Sequence, residues 1–274
     1  MPYAQNGLCR LYYEDWGQGT PVVLLMGLGG SSSSWLFHAN RLKKEFRVIC
    51  PDNRGVGNSD KPDEPYSMEM FSEDLLAIFD QCGIDKAILV GLSMGGLIAQ
   101  EFYSQHPERV RALVLCSTGV GPNDPAFIHP APRVNDILAN HKRNSDEQSD
   151  EQQDYSDFIS IFYHPDYLKK MPDLPEIIRQ YMAQDQQPSY AYHRQLAACY
   201  THACNSCRLK NIQVPMRMIH GHDDQLFPIA NTEYLLNNVP GSDAVIIPNS
   251  GHMLFIEQAE NFHQALYEFL QKYA

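Results

Sequence analysis

The chain lacks any run of about 18 apolar residues, the length at which a segment becomes a candidate to span a bilayer, so a membrane-spanning helix is not expected. Positive charge is also in short supply, with 21 Lys and Arg against 33 Asp and Glu and a net charge of −12. A field of that sign repels phosphate backbones and anionic lipid headgroups, so neither nucleic acid nor a membrane is an expected partner. The opening Met1-Pro2-Tyr3-Ala4-Gln5-Asn6 has neither a basic flank nor an apolar export stretch, and a cytoplasmic location is the expectation. A paired cysteine framework is missing too: there are seven cysteines, and Cys9, Cys50, Cys82 and Cys116 stand in or beside apolar segments where thiols pack as small hydrophobes. Cys204-Asn205-Ser206-Cys207 with His202 has the outline of a zinc corner, but a structural zinc needs four ligands and no second cluster accompanies it. No metal and no cofactor is expected.

What is present is a globular composition, 43% hydrophobic and 20% charged over 274 residues, enough for one large domain with an insertion. Short apolar runs at 22–26, 48–50, 87–90, 112–116, 216–219 and 244–247 read as buried parallel strands. Apolar residues at helical spacing over 70–82, 94–105, 230–238 and 258–273 alternate with them, the pattern of a doubly wound, mostly parallel α/β sheet. Residues 8–14 are read as part of an antiparallel edge hairpin. The alternation stops after Cys116 and resumes near Val214, which predicts a core of residues 1–119 and 211–274 with a helical cap at 120–210 inserted after the sixth strand. Within that interval Asp146, Glu147, Asp150, Glu151 and Asp154 read as a solvated helix face or loop. Phe127, Phe158, Phe162, Tyr163, Tyr167, Tyr181, Tyr190 and Tyr192 are expected mostly as cap core, some of them as pocket lining.

Gly91-Leu92-Ser93-Met94-Gly95 sits where an apolar strand meets a helix. A serine on such a turn needs small neighbours so that adjoining backbones can approach, and the following helix offers its positive end to a developing anion. A hydroxyl becomes a useful nucleophile only beside a base, and the base needs a third group to hold its tautomer. Of eleven histidines, His252 in Pro248-Asn249-Ser250-Gly251-His252 follows the last strand and is expected at the carboxyl edge of the sheet, where the serine turn also emerges. His220 reads as a core histidine and His106 as a helix terminus. Gly221-His222-Asp223-Asp224 supplies two candidate acids that spacing alone does not separate, and Asp124 offers a rarer alternative after the sixth strand.

With Met26-Gly27-Leu28-Gly29, the block Asp52-Asn53-Arg54-Gly55-Val56-Gly57-Asn58-Ser59, Pro228 and Ser250-Gly251-His252, these motifs resemble the α/β-hydrolase superfamily. More narrowly, they resemble the group containing 3-oxoadipate enol-lactonases, bacterial carboxylesterases and cofactor-free haloperoxidases. The likeness runs from about Val22 to the C-terminus. It implies Ser93 as nucleophile, Asp224 as acid and His252 as base, in the order usual for that fold. It also implies an oxyanion hole from the backbone amides of Leu28 and Met94. Relatives usually carry histidine-glycine where this chain has Met26-Gly27, so the loop's supporting bonds are expected to differ. Serine at the elbow, rather than aspartate, points to acyl chemistry on a small-molecule ester or lactone; carbon–carbon bond hydrolysis and acyl transfer use the same serine. Two rival readings stand beside it. Gly27-Leu28-Gly29-Gly30-Ser31-Ser32 followed by Asp52 resembles a dinucleotide fingerprint with Ser32 at the third glycine position. A non-catalytic binding protein on the same fold would keep the topology without the chemistry.

Overall fold

The computed structural model describes residues 2–141, 151–185, 187–202 and 205–274. Eight strands form one sheet: β1 (Tyr3–Asn6), β2 (Cys9–Trp16), β3 (Pro21–Leu25), β4 (Arg47–Pro51), β5 (Ala87–Leu92), β6 (Val110–Cys116), β7 (Met216–Gly221) and β8 (Asp243–Ile247). Their spatial order is β1-β2-β4-β3-β5-β6-β7-β8, with only the β1–β2 and β2–β4 pairings antiparallel. Helices α1 (Leu36–Leu42), α2 (Met68–Cys82) and α3 (Met94–Gln105) connect the first half. Five more, α4 (Pro132–Asn140), α5 (Glu151–Phe162), α6 (Pro165–Lys170), α7 (Leu174–Asp185) and α8 (Ser189–Thr201), lie between β6 and β7. The chain closes with α9 (Ala230–Asn238), α10 (Leu254–Glu257) and α11 (Ala259–Tyr273). Among the described residues no helix is long and apolar enough to cross a membrane.

Strand periodicity divides the core. Side chains alternate across a pleated strand, so Val23, Leu25, Ala87 and Leu89 join one apolar cluster with residues of α2 and α3. Their neighbours Val22, Leu24, Ile88 and Val90 join another with residues of α1 and α11 on the opposite face. Every residue of β5 is buried, because both faces are covered. That is why its sequence reads as a continuous apolar run rather than an alternation. Helix α2 starts at Ser67, whose hydroxyl accepts from the Met70 amide at 3.2 Å, and ends on Gly83 in the left-handed region at φ 63°. The buried Arg54 guanidinium grips both oxygens of Asp74 at 2.6 Å and ties the loop after β4 to α2.

Strand β3 pairs with β4 on one side and β5 on the other, so the winding reverses there. In doubly wound sheets this reversal opens a crevice at the carboxyl ends of the two strands. The loop after β3 and the turn after β5 both open into it. The sequence reading is corrected in three places. Residues 244–247, expected as a buried strand, form the sheet edge, where β8 is mostly partly or fully exposed. The hairpin arms are Tyr3–Asn6 and Cys9–Trp16, with the 8–14 segment covering one arm. Helix α1, seven residues long, carries too short a pattern to be read from the sequence. Asp146, Glu147 and Asp150 of the acidic run, and Cys204, lie outside the described residues, as do the side chains of Glu151 and Asp154.

Candidate active site

The site begins with a strained turn. Ser93 holds φ 55° and ψ −118°, one of three non-glycine residues at positive φ among the described residues. Such a backbone persists only when its surroundings over-determine it, and here they do. The Ser93 amide donates to the Cys116 carbonyl at 2.9 Å, while the Thr118 hydroxyl donates to the Ser93 carbonyl at 2.9 Å. Glycine is required on each side for space: a Cβ on Gly91 would sit 2.3 Å from the Gly95 carbonyl oxygen, and one on Gly95 would sit 2.3 Å from that of Leu25. A Cβ on Gly27 would lie 3.0 Å from Ser93 Cβ, which measures how closely the loop after β3 approaches the serine.

His252 and Asp224 come from two loops that are locked together. A Cβ on Gly221 would strike the Gly251 carbonyl oxygen at 2.1 Å, and the Asp223 amide donates to the Ser250 carbonyl at 3.0 Å. His252 Nδ1 lies 2.8 Å from Asp224 Oδ2. A carboxylate accepts only, so Nδ1 carries the proton and Nε2 holds the lone pair of the neutral ring. The other Asp224 oxygen accepts from the Leu226 and Phe227 amides at 2.8 and 3.0 Å. Burial alone would raise the Asp224 carboxyl, but the adjoining His252, His220 and backbone donors outweigh it and hold the group below its usual value. His220 is buried, its Nε2 donating to the Phe227 carbonyl at 2.7 Å and its Nδ1 accepting from the Thr232 hydroxyl at 2.8 Å; burial lowers its pKa.

The two acids left open by spacing separate in space. Asp223 is exposed and turns to His222 and His164, at 3.0 and 3.6 Å. Asp124 is buried but accepts from the Ala126 amide at 2.9 Å, within its own loop, and from the Ser206 amide at 2.8 Å, which ties that loop to the segment before β7. Asp52, the candidate ribose ligand of the dinucleotide reading, is likewise occupied by the Ser32 and Asn58 amides.

The amides of the β3 loop can be followed one by one. The Gly29 N–H goes to Gln195 Oε1 at 3.0 Å and the Gly30 N–H to the Gly27 carbonyl at 3.2 Å, while the Leu28 N–H meets no acceptor among the described residues. Met94 opens α3, and a first helical residue has no partner for its N–H inside its own helix. Both Leu28 and Met94 line the cavity that Ser93 and His252 share. Met26 lies over Gly30, where a Cβ would be 2.5 Å from Met26 Cγ; the Met26 carbonyl accepts from Asn53 Nδ2 at 3.0 Å.

That cavity measures about 360 Å³ and is walled by the helices between β6 and β7. Phe127, Phe158, Phe162, Tyr163, Tyr181 and Tyr192 all face it, so more of the aromatics are lining than expected, whereas Tyr167 and Tyr190 do not. Apart from His252, the described lining residues include no Asp, Glu, Lys, Arg or His. Arg133 and Arg194 are paired with Asp157 and Asp63 at 3.4 and 2.7 Å and stand outside it. His202 does not complete a zinc corner with described cysteines; it approaches Glu69 and Glu101, and Arg208 already binds Glu101 at 2.6 Å. The sequence reading missed Asn53, Gln187, Gln195 and Glu257, whose bonds to the site appear only once distant segments meet.

Residues 20–259 match the alpha/beta hydrolase fold family, and the chain belongs to that family. It is 28% identical to the 2-hydroxymuconate semialdehyde hydrolase of Pseudomonas putida, over 95% of this chain and 90% of that one. It superposes with a TM-score of 0.83 on a thermophilic esterase from Thermogutta terrifontis, at 28% identity over 98% of this chain and 96% of the other. The enol-lactonase from Burkholderia xenovorans LB400 gives the same TM-score, at 26% identity over 98% of this chain and all of that one. The protein is therefore a hydrolase-fold chain, similar to proteins described as a semialdehyde hydrolase, an esterase and an enol-lactonase.

Proposed function

We propose that this chain is a serine hydrolase that cleaves a neutral, largely apolar carboxylic ester or lactone through an acyl-enzyme. The observation that carries the reading is the joint opening of Ser93 and the Asp224-held His252 onto one apolar cavity. His252 Nε2 takes the Ser93 proton as Oγ attacks the carbonyl, and the Leu28 and Met94 amides stabilise the oxyanion. His252 then protonates the leaving alkoxide. In the second half a water, deprotonated by the same nitrogen, attacks the acyl-enzyme and frees the acid and Ser93. Asp224 holds the ring in the required tautomer and stabilises the imidazolium. Residues 120–210 act as a cap whose inner face sets specificity.

Ester cleavage is preferred to carbon–carbon cleavage of a carboxylated substrate because an anion would enter an apolar cavity with no cation among its described lining residues. The test is a panel of neutral p-nitrophenyl esters, lactones, carboxylated esters and a ring-fission ketone, run on wild type and Ser93→Ala, with fluorophosphonate labelling of both. Wild type is expected to label at Ser93 and to favour a neutral over a carboxylated ester by about 100-fold in kcat/KM, the equivalent of about 3 kcal/mol. Ester turnover by Ser93→Ala within tenfold of wild type refutes the assignment.

A further inference from the structure

We infer that Gln195, which belongs to α8 and not to the sheet, is a positioning residue for the oxyanion loop; the inference rests on the acyl-transfer reading above. Its side chain is fully buried and makes three hydrogen bonds. Oε1 accepts from the Gly29 amide at 3.0 Å and from Gln187 Nε2 at 3.2 Å, and Nε2 donates to the Arg54 carbonyl at 2.8 Å. Gln187 Nε2 also donates to the Gly55 carbonyl at 2.9 Å. Only one orientation of the Gln195 amide satisfies this set. Turned over, it would press an NH₂ against two donors and an oxygen against a carbonyl, at a buried site where unmatched groups are costly.

The consequence for the oxyanion follows from peptide geometry. Peptide units are rigid planes joined by two soft torsions, and the proposed donor, the Leu28 N–H, belongs to the plane it shares with the Gly27 carbonyl. The plane before it is held by Asn53 Nδ2 on the Met26 carbonyl at 3.0 Å. The plane after it carries the Gly29 N–H and is held by Gln195. The donor plane itself is braced by the Gly30 N–H on the Gly27 carbonyl at 3.2 Å. Removing Gln195 frees one of these three restraints and takes away the bonds that it makes to the Gly29 N–H and the Arg54 carbonyl. The Leu28 amide then loses its fixed aim at the point where negative charge develops. This support comes from the segment that walls the cavity, so that segment contributes to the geometry of the chemistry as well as to its selectivity.

The test is Gln195→Leu, with Gln195→Met as a second variant whose unbranched side chain matches the length of glutamine and refills its space. Both are read with a neutral p-nitrophenyl ester and with two inhibitors of one shape, a trifluoromethyl ketone that forms a tetrahedral adduct and its methyl ketone counterpart that does not. Each folded variant is expected to lose about 10- to 100-fold in kcat with KM within threefold, below the loss from deleting a donor outright. Affinity for the trifluoromethyl ketone falls by a similar factor, and affinity for the methyl ketone stays within threefold. A merely structural role would weaken both inhibitors together, and that result, or an unchanged kcat, overturns the inference. Fluorophosphonate labelling of wild-type Ser93 separates the two failures: a protein that does not label refutes the acyl-transfer reading, whereas one that labels with an unmoved inhibitor ratio refutes only the role of Gln195.

Discussion

Replacing Glu257 by glutamine should change how stability depends on pH, with a sign and size that the structure sets. The Glu257 carboxylate, on α10, accepts from the Gly251 amide at 2.9 Å and the His164 amide at 2.7 Å, joining the residue beside His252 to the segment between β6 and β7. Burial pushes its pKa up from 4.5 to about 7; the two amides and His252 oppose that rise, while Asp224 adds to it. Tyr163 and Tyr167 face it from the other segment. Between pH 4.5 and about 7 the folded protein therefore holds a proton that the unfolded chain has released, so this group's contribution falls as pH rises and levels off above 7. At 1.36 kcal/mol per pH unit the upper bound is about 3 kcal/mol, which partial exposure reduces to about 1–2 kcal/mol. Glutamine cannot titrate, so the stability difference, wild type minus Glu257→Gln, should shrink by about 1–2 kcal/mol from pH 5 to pH 8. Urea unfolding at pH 5, 6, 7 and 8, extrapolated to water, measures it. A difference constant across that range refutes the reasoning.

Two further perturbations test other parts of the same structure. Arg54→Met should destabilise the fold by about 3–5 kcal/mol in urea unfolding, because it strands the buried Asp74 carboxylate. A loss below 1 kcal/mol would show that the pair is not buried as described. His38 is held neutral, its Nε2 donating to the Phe255 carbonyl at 3.0 Å, and burial drops its pKa from 6.5 to about 4. Its contribution is present above pH 6.5 and is lost as pH falls towards 4, so His38→Phe should remove up to about 3 kcal/mol of acid sensitivity in that window. An unchanged acid slope refutes it.

Legibility from the sequence followed the range of the interactions involved. β5 and the Ser93 turn could be read because their determinants are local: an apolar run, glycines at fixed offsets, and a helix that starts at the next residue. The exposure of β8 was not legible, since Ala244 to Ile247 is apolar enough for a central strand and it is an edge only because, among the described residues, no further strand pairs beside it. Asp223 and Asp224 are equivalent by spacing. They differ because the turn buries one against His252 and leaves the other near His222, which is a property of two loops meeting. Gln195 and Glu257 gave no signal, for a glutamine or glutamate in a helix reads as solvated surface until its partners, 166 and 93 residues away, are brought to it.

Those two residues bear on why methionine is tolerated at position 26. The proposed oxyanion donors are backbone amides, so the loop needs to be held, but no particular side chain need hold it. Here Met26 supplies packing over Gly30, Asn53 holds its carbonyl, and Gln195 reaches down from α8 to the Gly29 amide. On the opposite side, the Met253 amide donates to the Phe162 carbonyl at 3.1 Å and Glu257 bridges His164 to Gly251. The segment between β6 and β7 is thus fastened to the loops of both the proposed oxyanion hole and the proposed base. Phe162 also lines the cavity, so the residue that shapes the pocket there supplies the backbone carbonyl that holds the loop of the proposed base. Under the proposed function, substitutions at Phe162 should therefore alter kcat along with selectivity. Those at Leu138, which lines the cavity and has no bond to either loop, should alter selectivity alone.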